Sequence, residues 1–158
     1  MAVKVNVKDE ECKALIDYVV QQVSPSFNDV LDFSLDSETF DEGIVSFELR
    51  DELIGNPFYR TLHGGVISSI LDVAGGHTVF LQVYKDVREK SREKQLERLS
   101  KIATIDLRID YIRPGTGNAY TARGYILRLG NKVAVTRMEL HNEKNVLIAV
   151  GTGTYTVG

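Results

Sequence analysis

The sequence predicts an α+β domain in which an antiparallel sheet packs against one long buried helix. Two observations carry that prediction. The stretch from Val66 to Val83 is almost wholly apolar, lacks proline and is too long for a buried strand. The chain after residue 103 breaks into four strand-like segments separated by turn formers at hairpin spacing. A sheet with one helix laid across it buries both apolar surfaces at once.

Taken in order, residues 9 to 22 place Cys12, Leu15, Ile16, Val19 and Val20 on one helical stripe, and Ser24-Pro25-Ser26 ends that helix, so its span is about 9–24. Residues 28 to 35 and 43 to 50 read as two short strands joined around Ser37 to Gly43. Gly55-Asn56-Pro57 is a loop leading to His63-Gly64-Gly65, which opens the long helix. The apolar residues of that helix run nearly all the way round it, as in a helix buried on most sides. From Lys85 to Lys101 the sequence turns to KDVREKSREKQLERLSK, read as a solvated continuation of the helix or a charged surface excursion. The closing strands are 104 to 114, 118 to 129, 132 to 140 and 145 to 157, with turns at Gly130-Asn131 and Asn142-Glu143. In the first of them Ile105, Leu107, Ile109 and Tyr111 alternate with Thr104, Asp106, Arg108 and Asp110.

Composition excludes several functions. The chain has 158 residues, 43% hydrophobic and 26% charged, enough for one soluble domain with its own core. A net charge of −3 lacks the basic face of a nucleic-acid binder. The single cysteine, Cys12, forbids an intramolecular disulfide, and no histidine pair with a carboxylate has metal-ligand spacing. Residues 1 to 12 have no apolar signal core, and Asp72, His77, two serines and two glycines make 66 to 83 a poor membrane span. The expectation is a cytoplasmic protein without metal or cofactor.

Asp72 stands out because Ile70-Leu71 and Val73-Ala74 flank it. A carboxylate in such surroundings is costly unless hydrogen-bonded or paired, and buried carboxylates are candidate general bases. Its helical neighbours Ser68, Ser69, Gly75 and Gly76 are all small and leave a stripe where substrate or another backbone can approach. Gly64 and Gly65 place free N–H groups at a helix N-terminus, where negative charge is favoured and an oxyanion can be held. His63 and Asp72 are nine residues apart, about 13 Å along the axis and half a turn round, so they cannot converge within one chain. If both serve one reaction, they come from two subunits of a dimer.

The segment LHGGVISSILDVAGG, Leu62 to Gly76, resembles the signature of the PaaI-like acyl-CoA thioesterases of the hotdog superfamily, and ATIDLRIDYIRPG, Ala103 to Gly115, resembles that family's next landmark. Asn56-Pro57 is similar to the Asn-containing loop that precedes the histidine. The likeness spans about residues 27 to 157. It implies a hotdog fold, an antiparallel sheet wrapped around a central helix, and hydrolysis of an acyl-CoA thioester. It also implies that the Gly64 amide binds the thioester carbonyl with help from Asn56, while Asp72 of the partner chain orients or deprotonates water, or attacks directly. Thr104 would hold that water and His63 would position the helix entrance. Homodimers that pair into tetramers, with no cofactor, follow from the same resemblance. Strict alternation puts Thr104 on the polar side of its strand, so it reaches the site only if the strand bends or starts there.

Other constellations carry less. His77 is five residues, about 500°, beyond Asp72 and reads as a packed or partly exposed histidine. His141 reads as a solvated turn residue. Arg113, with Arg108, Arg128 and Lys132, is a candidate for the phosphates of coenzyme A. Tyr111, Tyr120 and Tyr125 read as strand packing. No G-x-S-x-G elbow is present. The same fold also serves acyl-thioester dehydratases and non-catalytic acyl-CoA-binding proteins, which remain the rival readings.

Overall fold

The computed structural model describes residues 3–22 and 26–158. An edge strand β1 (Lys4–Val7) leads into α1 (Glu10–Val20), which starts where the Asp9 carboxylate accepts from the Cys12 amide at 2.8 Å. Such a cap contributes about 1 kcal/mol. Cys12, Leu15 and Ile16 are buried as their spacing predicts, but Val19 is exposed. Ser24 and Pro25, read as the stop of this helix, lie outside the described residues.

Residues 28 to 35 are not one strand. Ser26 and Asp29 form a capping pair, with the Ser26 amide donating to the Asp29 carboxylate at 2.6 Å, and one turn of helix follows as α2 (Phe27–Leu31). Asp32, in the left-handed region at φ 50°, ends that turn and releases the chain into β2 (Phe33–Ser37). The second expected strand is present as β3 (Glu42–Glu48). A small ribbon of β4 (Ile54–Asn56) and β5 (Thr61–Leu62), invisible in the sequence pattern, then delivers the chain to α3 (Gly64–Val87).

The charged run does not simply extend α3. The helix stops at Val87, and α4 (Arg92–Leu99) folds back against it. Gln95 is buried and its amide donates to the Arg88 and Lys90 carbonyls at 2.9 and 3.2 Å, satisfying groups left open at the end of α3. Leu99 is buried and Leu96 packs on the core, so this short helix has an apolar side despite its composition.

The closing strands are β6 (Ala103–Tyr111), β7 (Ala119–Leu129), β8 (Val133–Asn142) and β9 (Leu147–Thr156). His141 lies within β8 and is half-buried near Glu139, not solvated in a turn. The main sheet runs β1-β2-β3-β7-β8-β9-β6. Every pairing in it is antiparallel except β1 with β2, because the crossover through α1 returns the chain in the same direction.

The helix α3 packs on one face of this sheet, against β3, β7, β8 and β9, with Ile67, Ile70, Leu71, Ala74, Val79 and Leu81 buried. By length and hydropathy α3 alone would pass as a membrane span, but more than half of its most apolar window is buried in the fold. Close approach is possible because Gly43 and Gly124 are paired across β3 and β7. A Cβ on Gly124 would come 2.7 Å from the Ala74 carbonyl oxygen, and one on Gly43 would come 2.7 Å from the Thr78 amide nitrogen. Helix and sheet therefore meet backbone to backbone at mid-helix, which fixes the depth at which Asp72 sits one turn earlier.

Candidate active site

The entrance to α3 is built by His63. Its backbone is extended at φ −65° and ψ 137°, and its Nδ1 accepts from the Gly65 amide at 2.9 Å, so the ring caps the helix that it precedes. The Gly65 N–H is thereby occupied. The Gly64 N–H, at the first helical position, has no intrahelical acceptor and no other partner among the described residues. It is the amide of this entrance that is left open to a ligand. Tyr111, read as strand packing, instead donates its hydroxyl to the Gly64 carbonyl at 2.9 Å and fixes the orientation of that peptide.

Asp72 lies two turns further along α3, half-buried. Its Oδ1 accepts from the Thr104 hydroxyl at 2.9 Å and from the Tyr155 hydroxyl at 3.1 Å. Its Oδ2 has no partner among the described residues. A carboxylate anchored through one oxygen keeps the other available for a proton or a carbon centre.

Thr104 reaches Asp72 because β6 is bulged. Thr104 opposes Tyr155 and Asp106 opposes Thr154, which leaves Ile105 as an extra residue with no partner on β9. The insertion reverses the alternation, so Thr104 shares the inner face with Leu107 and Ile109, while Ile105 is left 54% exposed. The regular alternation expected for 104 to 114 therefore fails at its first residue, and that failure brings Thr104 to the carboxylate.

Tyr155 was not among the expected site residues. Gly151 and Gly153 precede it on the same face of β9, and a Cβ on Gly75 of α3 would overlap its hydroxyl, so small residues on both elements make room for the ring. The one signal in the sequence is a bulky phenol closing a glycine-rich strand. Burial first, and the adjacent Asp72 carboxylate second, push the Tyr155 phenol well above its ordinary range, so it remains a donor to Asp72.

Asp72, Thr104 and Tyr155 stand at the wall of a mainly apolar cavity of about 670 Å³ between α1, α3, α4 and β2. Ile16, Phe33, Leu35, Phe80, Leu96 and Leu99 contribute to its lining. The segment 85 to 101 thus supplies part of the wall through α4. His77 also lines the cavity and is 6% exposed.

The other expected residues are placed as follows. Asn56 is exposed, and its Oδ1 accepts from the Phe58 amide at 3.0 Å in the turn of the β4–β5 ribbon. The Ser68 and Ser69 hydroxyls both turn back to the Gly65 carbonyl, at 3.0 and 2.7 Å. Arg113, just past β6, donates to the Leu147 carbonyl at 3.1 Å. Gly64 and Asp72 are eight residues apart on one helix, about 12 Å along its axis, and one protomer does not bring them together. Among the described residues no cluster of histidine, cysteine and carboxylate side chains could hold a metal ion.

The profile of the thioesterase superfamily matches residues 59–149. The medium/long-chain acyl-CoA thioesterase YigI of Escherichia coli strain K12 is 43% identical over 132 residues, 84% of this chain and 85% of that protein. The protein of the same name from Salmonella typhimurium is 47% identical over 114 residues, 72% of this chain and 74% of that protein. A crystal structure from Shewanella oneidensis, described as related to the thioesterase superfamily, matches with a TM-score of 0.85 at 41% identity, over 94% of this chain and 96% of that one.

Proposed function

The chain belongs to the thioesterase superfamily and is a hydrolase of thioester bonds, and from that premise we propose that it cleaves acyl-CoA thioesters to a carboxylic acid and free coenzyme A in a site shared by two copies of the chain. The observation that carries the reading is the Asp72 carboxylate, held through Oδ1 by Thr104 and Tyr155 and open through Oδ2 at the wall of an apolar cavity. The names of the relatives and the size of that cavity favour medium to long acyl chains.

In this mechanism Asp72 takes a proton from water as the water oxygen adds to the thioester carbonyl carbon. The carbonyl oxygen becomes an oxyanion, held by the Gly64 N–H of the partner subunit. Collapse of the adduct breaks the C–S bond, and the leaving thiolate takes the proton back from Asp72. Direct addition of Asp72 to the carbonyl is the variant of this scheme, and a single turnover in labelled water separates the two by where the label lands. His63 acts on the helix entrance, where its Nδ1 accepts from the Gly65 amide.

A dimer is supported by β6, which ends the sheet with no neighbour on its outer side among the described residues and exposes Ile105 and Tyr111 beside the site. An open edge of this kind is a template for another strand. Sedimentation reads the dimer and shows whether dimers pair further.

The test is thiol release from a panel of acyl-CoA esters by the wild type and Asp72→Asn. The expected loss of turnover is at least about a hundredfold, the scale of a lost general base. Undiminished turnover in Asp72→Asn removes this mechanism.

A further inference from the structure

His77 puts a polar atom into a mainly apolar wall, away from the Asp72, Thr104 and Tyr155 group. The ring lines the cavity, on the same helix as Asp72 and about 7.5 Å further along its axis. Its Nε2 lies 3.0 Å from the Ser37 hydroxyl. That hydroxyl has one proton, and it lies within reach of the carbonyl oxygens of Asp36 and of Glu42, the latter at 3.1 Å. With the serine proton assigned to a carbonyl, Ser37 Oγ is the acceptor toward His77, and we assign the imidazole proton to Nε2 on that basis.

The other ring nitrogen is therefore a bare acceptor. Nδ1 has no hydrogen-bond partner among the described residues. The Arg50 Nε is the one buried side-chain nitrogen or oxygen there that is both shut off and partnerless. Nδ1 is not sealed in this way, and the ring that carries it lines the cavity.

We propose that His77 Nδ1 accepts a hydrogen bond from a hydroxyl carried part-way along the acyl chain, so that the cavity prefers hydroxylated acyl-CoA thioesters over unsubstituted ones of equal length. This rests on the thioesterase reading and names the substrate class within it. Burial keeps the ring neutral, pulling its pKa down to about 4 against the opposing influence of Asp36. A neutral ring with its proton fixed on Nε2 offers only an acceptor to the cavity, which suits a hydroxyl donor and not a ketone. An alkyl chain passing the same point leaves Nδ1 without a partner, and that costs binding. Distance from Asp72 along the helix places the selected hydroxyl away from the thioester.

The experiment compares kcat/KM for dodecanoyl-CoA with a positional series of hydroxydodecanoyl-CoA thioesters, in wild type, His77→Phe and His77→Gln. The wild type is expected to favour the best hydroxy isomer by about tenfold, the scale of one hydrogen bond. His77→Phe is expected to abolish that ratio, and His77→Gln, which keeps an acceptor, to retain part of it. Independently of turnover, the 15N resonance of His77 Nδ1 in the wild type is expected to shift on adding the matching free hydroxy acid and to stay put on adding dodecanoic acid. Hydrolysis without any preference and without that shift overturns the role of His77 while leaving the thioesterase reading standing. The selective shift without hydrolysis of any ester overturns the thioesterase reading and keeps the acceptor site. A preference that survives His77→Phe undiminished assigns the selection to another residue and sinks the proposal.

Discussion

The Tyr155 hydroxyl lies 3.1 Å from the backbone carbonyl oxygen of Asp72 and 3.1 Å from its Oδ1, so a single phenol ties the main chain of that residue to its side chain. Asp72 sits mid-helix, where side-chain rotamers are limited by the preceding turn. Tyr155 and Thr104 select one of them, the one that directs Oδ2 away from both donors.

Tyr155→Phe removes one of the two donors while keeping the ring that fills the space beside Gly75 and Gly153. It is expected to lower kcat about tenfold, the value of one hydrogen bond to a charged acceptor, with a smaller change in KM. Thr104→Val is expected to act similarly and Thr104→Ser to retain most activity. Steady-state kinetics on all three variants check this. A rise in KM with kcat unchanged in Tyr155→Phe would make the residue a mere cavity wall.

Gly64→Pro isolates the amide. Proline is favoured at the first helical position, and His63 already has the extended backbone that a following proline requires. A Cβ at Gly64 meets Tyr111 at ordinary contact distance. The variant is expected to fold and to lose at least about a hundredfold in turnover, as when one oxyanion donor is removed. Refolded together with Asp72→Asn, it is expected to regain about a quarter of wild-type activity, because mixed dimers hold one site with both groups native. No recovery on mixing rules out a shared site.

Gly124→Ala tests the helix–sheet seam. The added methyl meets the Ala74 carbonyl oxygen and the Thr78 side chain, and backbone on both sides leaves little room to yield. A loss of about 1–3 kcal/mol is expected, the range for overpacking, read from urea unfolding. Unchanged stability would mean that the seam is looser than its geometry.

The His77 ring makes stability depend on pH. Unfolded, it titrates near ~6.5; folded, burial holds it down to about 4. Between those values the unfolded chain binds a proton that the folded chain does not. The stability contributed by the neutral ring is thus fully present above the unfolded value and is lost as pH falls toward the folded one. The slope is about 1.4 kcal/mol per pH unit for one proton. The stability difference between wild type and His77→Gln, from urea unfolding at about pH 7 and about pH 5, is expected to shift against the wild type on acidification. A constant difference would contradict the burial of this ring.

Long, strongly patterned elements were legible in the sequence, and short or irregular ones were not. The apolar run of α3 and the alternation of β7 to β9 exceed any ambiguity between helix and strand. The strand β1, with four residues, and the one-turn helix α2 carry too few positions for a period to show. Asp72, His63 and Gly64 were legible because each departs from its surroundings: a charge among aliphatics, and glycines at a helix start. Tyr155 was not, since an aromatic ending a strand is ordinary, and its importance arises only when β9 is laid against α3. Thr104 was named through family likeness, whereas the pattern of its own strand pointed it outward. A bulge is a property of two strands in register, and one strand read alone does not contain it.

On the proposed mechanism, the reacting groups and part of the cavity wall lie on separate parts of the chain. Asp72, Thr104 and Tyr155 are anchored in the sheet and its helix, whereas Leu96 and Leu99 of the cavity wall belong to α4, hung from the end of α3 by Gln95 and those two leucines. Insertions, deletions or exchanges confined to that appendage can retailor which tails are admitted and leave the reacting groups in register. Descendants of this protein could thus change diet without relearning how to cut.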